Sequence, residues 1–241
     1  MEVSSNYDII RLFIPVSMPS SKAKYFGLFP RAWTVYEEPV PGINIILRQV
    51  SPVIPNSYSD SSLPTAVFVA EVENIGDGPA TVSVMFSFEN SNGEDEKQGK
   101  NKPHAGFVIE TPSLEVQGVC MSRLKGYKAK GLNGRLVKNH VDQCSLSIAS
   151  TLKDSLTGGL GQEDSISVCR KFVIHEKFQT SNTAKELWDR FVQYGEISSF
   201  PFLDSHNEHA EVGSAVCVKR LVAPRQKKYY SFSVAWYYLQ S

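Results

Sequence analysis

The sequence predicts an all-β protein: a large antiparallel β-sandwich with one short capping helix near residues 183–194. Several segments alternate apolar and polar side chains with a period of two, the pattern of a strand with one buried face. About ten such segments occur between clusters of turn formers, whereas a parallel sheet would need repeated crossover helices. Aromatic residues make up 11% of the chain, and their flat side chains suit the faces of sheets.

The clearest strand is predicted at residues 81–88. Four apolar side chains share one face, and Thr81, Ser83 and Ser87 lie on the other. The apolar face consists of Val82, Val84, Phe86 and Phe88. A second strand is predicted at residues 66–73. The turn formers at residues 74–79 lie between the two strands and predict that they form a hairpin.

The same alternation predicts strands in the rest of the chain. They lie at residues 43–50, 114–121, 144–150 and 166–174. Residues 229–236 alternate again, and we expect residues 212–218 to pair with them through the turn at 221–225. Segments rich in Gly and polar residues are predicted to be mobile loops. These are residues 91–103, 126–134 and 157–164.

One segment has the period of an amphipathic helix. Thr183 is expected to cap its N-terminus, because Glu186 follows three residues later and completes a capping box. Gly195 stands where a helix commonly ends. The apolar stripe between them consists of Ala184, Leu187, Trp188, Phe191 and Val192. We expect this helix to pack on a sheet or to close one end of the sandwich.

The charge balance argues against nucleic-acid binding. The chain has 25 basic and 25 acidic residues, so its formal net charge is +0. A protein that neutralises phosphates needs a local surplus of Lys and Arg. The basic clusters at residues 125–138 and 219–228 are short and separated, and we interpret both as solvated surface.

The N-terminal segment and the cysteines predict a cytoplasmic protein. The apolar residues 8–18 are interrupted by Arg11 and Pro15, so they make a poor signal peptide and are too short to span a bilayer. Any membrane contact is expected to be peripheral or supplied by a partner. Four widely spaced cysteines are predicted to be buried free thiols of a reducing compartment. They are Cys120, Cys144, Cys169 and Cys217.

The sequence offers no complete catalytic or metal-binding motif. It has no G-x-S-x-G nucleophile motif, and Ser214 lies in a predicted strand. His206 and His209, with acidic side chains nearby, resemble metal ligands, but surface loops often contain such groups and no helix fixes their spacing. We therefore predict no catalytic residue, no cofactor and no metal site in this chain.

A pair of carboxylates is a further catalytic possibility, because glycoside hydrolysis needs two carboxyl groups about 5–10 Å apart. Glu71 and Glu73 lie two residues apart on one face of a predicted strand, which is compatible with such a pair. We favour the interpretation that both side chains lie on a solvated face of the sheet.

Several strings of residues, taken in order, resemble one known family. They are Leu28-Phe-Pro-Arg-Ala-Trp-Thr-Val-Tyr36, Leu47-Arg-Gln-Val-Ser-Pro-Val-Ile-Pro55, Asp60-Ser-Ser-Leu-Pro64, Val67-Phe-Val-Ala-Glu-Val-Glu-Asn74, Val82-Ser-Val-Met-Phe-Ser87, Gly213-Ser-Ala-Val-Cys-Val218 and Phe232-Ser-Val-Ala-Trp236. Together they are similar to the N-terminal domain of the non-lysosomal glucosylceramidases (bile acid β-glucosidases), glycoside hydrolase family 116. The resemblance is looser between residues 91 and 189.

This resemblance implies a β-sandwich that packs against a separate (α/α) barrel. In the family the barrel holds a Glu nucleophile and an Asp acid/base, works with retention, and acts on β-glucosides, above all glucosylceramide. Neither catalytic motif has a counterpart here. We therefore divide the chain into a divergent segment, residues 1–27, and the sandwich domain, residues 28–241, and expect a fragment that is inactive without its barrel.

The resemblance also implies the partners and the location. The expected partner is the catalytic barrel, glucosylceramide is reached only through it, and the location is the cytosolic face of the endoplasmic reticulum, Golgi or plasma membrane. One alternative is a stand-alone module that binds a glycan or a lipid headgroup. Another is an interaction protein that docks onto a different barrel-bearing chain.

Seven residues are candidates for contact with the missing barrel, because a domain separated from its partner should expose an apolar surface. They are Phe29, Arg31, Trp33, Tyr36, Arg48, Trp236 and Tyr238. The two arginines lie between apolar neighbours, where an Arg usually has a carboxylate or stacking partner. We favour an internal salt bridge for them, and the alternative is a contact near the substrate entrance of the barrel.

Overall fold

The computed structural model describes residues 9–11, 19–90, 99–111, 114–130, 136–152, 164–175, 183–197 and 211–239. The strands are β1 (Ile9–Arg11), β2 (Ala23–Leu28), β3 (Arg31–Val40), β4 (Ile43–Val50), β5 (Thr65–Asn74), β6 (Ala80–Glu89), β7 (Gly99–Asn101), β8 (Ala105–Glu110), β9 (Glu115–Lys130), β10 (Leu136–Thr151), β11 (Ser165–His175), β12 (Glu211–Val222) and β13 (Lys227–Leu239). The helices are α1 (Tyr58–Ser61), α2 (Thr183–Tyr194) and a 3-10 turn (Ser20–Lys22).

These strands form two sheets, so the predicted all-β fold is confirmed. The smaller sheet has four strands in the order β1-β6-β12-β11. The larger sheet has nine strands, in the order β2-β3-β4-β5-β13-β10-β9-β7, and β8 also pairs with β9. Among the described strands, β1 and β6 are the one parallel pair. All the other pairings are antiparallel, which agrees with the prediction from period-two alternation.

The core lies between the two sheets. Val82 of β6 and Val218 of β12 contribute from the smaller sheet, and Val72 of β5 with Phe232 of β13 from the larger. All four side chains are buried because alternate residues of each strand point to the same face. The period-two pattern therefore gave the buried faces of these strands correctly.

The predicted hairpin between residues 66–73 and 81–88 is wrong. Strand β5 pairs with β4 and β13 in the larger sheet, whereas β6 pairs with β1 and β12 in the smaller one. Residues 75–79 therefore cross from one sheet to the other. Both strands have an apolar face, and placing them in opposite sheets lets those faces meet across the core.

The predicted pairing of residues 212–218 with 229–236 is wrong for the same reason. Strand β12 belongs to the smaller sheet and β13 to the larger, so the turn between them is a second crossover. The two crossovers lie side by side. The Asn74 amide N–H donates to the Gln226 carbonyl (2.9 Å), and Asn74 Nδ2 donates to the Gly78 and Val222 carbonyls (2.8 and 3.0 Å).

One predicted loop is partly a strand. Strands β9 and β10 form a long hairpin, and Gly126 pairs with Val141 within the segment expected to be a loop. The glycine and lysine content suggested a loop, but main-chain pairing in a ladder does not depend on apolar side chains. Residues 91–98 and 157–163 lie outside the described part of the chain, and β7 occupies the end of the first of these loops.

The predicted helix is confirmed as α2. Leu187 and Phe191 are buried in a cluster with Cys169 and Cys217, so the helix packs on the smaller sheet, on the face away from the main core. Gly195 ends the helix with a φ of 69°, a conformation that glycine adopts without strain.

Candidate functional site

The hairpin of β2 and β3 exposes an unusual amount of apolar surface. Among the described strands, β2 lies at the edge of the larger sheet and pairs with β3 alone. At the tip of the hairpin Phe29 is 84% exposed, and Leu28 and Tyr25 are each 68% exposed. Isolated exposed apolar side chains are ordinary, but a contiguous group of them indicates a binding surface.

The chain after β4 extends this surface. The Ser51 N–H donates to the carbonyl of Pro30 (3.2 Å), which holds the segment against the hairpin. Ser61 Oγ then accepts from the Ile54 N–H (2.8 Å) and fixes the loop. The apolar edge surface, as we call it, consists of Tyr25, Phe26, Leu28, Phe29, Val50, Val53 and Ile54, all of them exposed. Tyr25, Leu28, Phe29 and Val50 line a concavity of about 340 Å³ together with the end of β4 and the start of β5, whereas Phe26 lies beside Trp33 on the other face of the hairpin.

The seven predicted contact residues do not share one face. Phe29 and the exposed Arg31 lie at the hairpin tip. Trp33 lies on the outer face of the larger sheet, with its ring stacked on Phe26 at a centroid distance of 5.9 Å. Tyr36 is half-buried and packs against the core on the opposite face of the same sheet. Of these four residues, Phe29 and Arg31 at the hairpin tip are therefore the ones whose exposure favours contact with a partner.

The other three candidates lie further along the larger sheet. Trp236 is 40% exposed near the end of β13, and its main-chain N–H donates to the Pro64 carbonyl (3.0 Å). Tyr238 follows in the same strand, and its side chain lies outside the described part of the structure. Arg48 projects from β4 next to β5 and forms an ion pair there.

This ion pair is part of a charge cluster around Glu71. Glu71 accepts from Arg48 Nη1 (2.5 Å) and from Lys227 Nζ (2.8 Å), and Lys227 Nζ also lies 3.7 Å from a Glu73 oxygen. Arg48 therefore has the internal salt bridge that we favoured. The expectation of a solvated face is wrong for Glu71, whose side chain is only 7% exposed because Arg48 and Lys227 lie against it.

The electrostatics of this cluster argue against catalysis. Burial alone would raise the pKa of Glu71, but its bonds to Lys227 and Arg48 outweigh burial and hold the pKa below the usual value. Glu71 therefore stays ionised, whereas a glycosidase acid needs a raised pKa to carry a proton.

A serine and a histidine do meet in the structure. His104 Nδ1 lies 2.9 Å from Ser214 Oγ and 2.7 Å from the Arg170 carbonyl, to which Ser214 Oγ also donates (2.6 Å). Because Nδ1 faces a carbonyl acceptor, it carries its own hydrogen and cannot take a proton from Ser214. Burial also lowers the pKa of His104, and Ser214 is fully buried. This contact links strands and is not a nucleophilic pair.

Two of the cysteines are poor nucleophiles. Cys169 and Cys217 are buried free thiols, as predicted, and burial raises their pKa values to about 11 and about 12. Both remain protonated at neutral pH, so neither is an activated nucleophile. Cys144 is also buried, and Cys120 is half-buried.

Within the described ranges, no three His, Cys, Asp or Glu side chains are close enough to hold a metal ion. His206 and His209 lie outside those ranges. None of the described helices has the length and apolar character needed to cross a bilayer.

Comparison with known families decides which domain this is. The model of one family, described as beta-glucosidase 2, glycosyl-hydrolase family 116 N-term, matches residues 14–240. The chain belongs to this family. The match covers every strand from β2 to β13, and β1 precedes it.

Sequence reasoning missed part of the edge surface of this family 116 N-terminal domain. Tyr25, Phe26 and Leu28 were not among the predicted contact residues, although between 45% and 68% of each residue is exposed. A signal was present. Residues 25–29 hold four large apolar side chains around Gly27 and do not alternate with polar ones, so neither face of that strand is polar.

Proposed function

We propose that this family 116 N-terminal domain is the accessory β-sandwich of a non-lysosomal β-glucosidase. The proposed enzyme hydrolyses glucosylceramide in sphingolipid breakdown at the cytosolic face of a membrane. In this proposal a catalytic (α/α) barrel performs the chemistry, and the sandwich docks onto it. The observation that supports docking is the apolar edge surface at the β2–β3 hairpin.

Docking explains why this surface is apolar. The hairpin tip holds Leu28 and Phe29 away from the core, where they contribute nothing to the packing of the sandwich. Burying a large apolar side chain against a partner stabilises a complex by about 1.5–3 kcal/mol. The adjacent Arg31 adds a cation that a partner carboxylate can pair with.

The chain alone is expected to show no β-glucosidase activity. The carboxylate pair that its sequence offers, Glu71 and Glu73, is neutralised by Arg48 and Lys227. The measurement is release of methylumbelliferone from its β-D-glucoside by the purified 241-residue chain. Glu73 is the residue to replace, because its side chain is more exposed than that of Glu71. Turnover above the buffer rate that disappears in the Glu73→Gln variant would contradict the proposal.

Docking is tested with the double variant Leu28→Ser/Phe29→Ser. We expect it to bind a family 116 catalytic barrel, supplied as a separate chain, more than about tenfold more weakly than the unaltered chain, since 1.4 kcal/mol is a factor of ten. The measurement is a binding titration by light scattering or calorimetry. The unfolding midpoint should not change, because both side chains are exposed.

The matched control is Ile109→Ser. Ile109 is 53% exposed on β8, which pairs with β9 at the other side of the larger sheet. The Ile109→Ser substitution removes an exposed apolar side chain that does not belong to the edge surface, so it should leave barrel binding unchanged. Equal weakening by both variants, or no binding of the barrel by the unaltered chain, would show that the edge surface is not the docking site.

A further inference from the structure

An apolar cavity lies where the inner face of the larger sheet, strand β6 and helix α2 meet. Its volume is about 290 Å³. Its walls are formed by Tyr36, Ile45, Leu47, Phe68, Ala70, Val84, Met85, Phe86, Trp188 and Phe232. None of these lining residues carries a charge.

The floor and the rim of the cavity differ in burial. Ile45, Ala70 and Phe232 form a floor that is almost completely buried. Tyr36 and Trp188, which are half-buried, lie at the rim and come from two elements that are far apart in the chain. The cavity is therefore reached from the surface and ends deep in the core.

Its walls are held by aromatic packing. The ring of Phe86 lies 5.0 Å from Phe68 and 5.7 Å from Phe232, measured between centroids, and is stacked on the latter. Phe68 and Phe232 are directly opposite each other on neighbouring strands. Because these rings are anchored in both sheets, the cavity cannot close by rotating one side chain.

We propose that this cavity binds a small uncharged hydrocarbon group, about twice the volume of benzene. An apolar cavity of about 150 Å³ stays dry and accommodates benzene, and this one is nearly twice as large. Water has few hydrogen-bond partners on such walls. Concave, mostly apolar pockets with aromatic linings are the usual small-molecule sites of proteins. The proposal does not depend on docking of a catalytic barrel.

The experiment uses naphthalene, two fused rings, as the probe and the 241-residue chain as the protein. We expect saturable binding by calorimetry and an upward shift of the unfolding midpoint. Ala70→Leu places three more carbons on the floor of the cavity. We expect this variant to bind naphthalene at least tenfold more weakly and to unfold about 2–4 °C higher than the unaltered chain, because the added side chain fills a void.

Two controls make the result specific. Leu28→Ser/Phe29→Ser removes the exposed edge surface and should bind naphthalene as the unaltered chain does. Val119→Leu enlarges a fully buried side chain that does not line the cavity, so it should lower the unfolding midpoint through overpacking. The proposal is overturned by non-saturable binding, by equally tight binding to Ala70→Leu, or by a fall in midpoint for Ala70→Leu like that of Val119→Leu.

Discussion

Replacing Asp164 with Asn is expected to lower the free energy of unfolding by about 3–5 kcal/mol, the usual cost of removing one partner of a buried ion pair. Asp164 and Arg220 are 1% and 0% exposed, and Arg220 Nη1 lies 3.3 Å from Asp164 Oδ2. Asn has almost the same shape but no charge. The substitution therefore leaves the buried guanidinium without its counter-ion.

The surroundings of Arg220 explain why it cannot compensate. Its Nη2 contacts the carbonyls of Thr151 and Leu152 at 3.5 and 3.4 Å, long distances for a hydrogen bond. Its Nε has no hydrogen-bond partner in the described part of the chain. The guanidinium also lies 5.9 Å from the centroid of the Tyr230 ring. Carbonyls and a ring stabilise the cation only in part, so Asp164 supplies the main compensation.

Urea unfolding at neutral pH, followed by circular dichroism, measures this loss. The matched control is Asp77→Asn, which removes the same charge from an ion pair with Arg225 in which Asp77 is 94% exposed. Exposed pairs contribute about 0–1 kcal/mol, so the control should change stability little. Equal effects of the two substitutions would mean that the Arg220 pair is not the buried contact described here.

Gly118→Ala is expected to destabilise the sandwich by about 1–3 kcal/mol, the usual cost of overpacking. A Cβ at Gly118 would lie 2.4 Å from the Ile148 carbonyl oxygen and 2.7 Å from the Phe107 ring. The ring could move, but the carbonyl belongs to the paired strand β10. Relief of the clash therefore requires β9 and β10 to separate locally.

Gly78→Ala is the control for this prediction. Gly78 lies in the first crossover, and a Cβ there would meet nothing within 4 Å. Both changes reduce the freedom of the unfolded chain by a similar amount, so their difference reports the clash. We expect a clear fall in the urea midpoint for Gly118→Ala alone. A midpoint for Gly118→Ala as high as that of Gly78→Ala would mean that the strands absorb the methyl group without cost.

The sequence predicted the faces of the strands better than their partners. Alternation identified the buried sides of β5 and β6, because a side chain's direction is a local property. It could not show that these strands lie in opposite sheets. Turn formers such as Gly76 and Gly78 suit a hairpin and a crossover equally well, and the choice depends on distant contacts such as Asn74 with Val222.

The candidate site was predicted only in part. The resemblance to family 116 suggested Phe29, which is exposed, but also Tyr36, which packs inward.

The buried Arg220 was not predicted from the sequence, although the alternation of apolar residues in β12 indicates that it is buried. It shares its face of β12 with Val218 and Val222, both completely buried, so it had to be an interior cation with a counter-ion. The counter-ion itself comes from Asp164, which no local pattern could identify.

The order of the strands has a consequence for how the domain unfolds. Five of the twelve connections between consecutive described strands pass from one sheet to the other, and two of them are joined by the hydrogen bond from the Asn74 main-chain N–H to the Gln226 carbonyl. Because the chain returns repeatedly from one sheet to the other, neither sheet is a continuous stretch of sequence that could detach as a unit. We therefore expect both sheets to unfold in one cooperative transition.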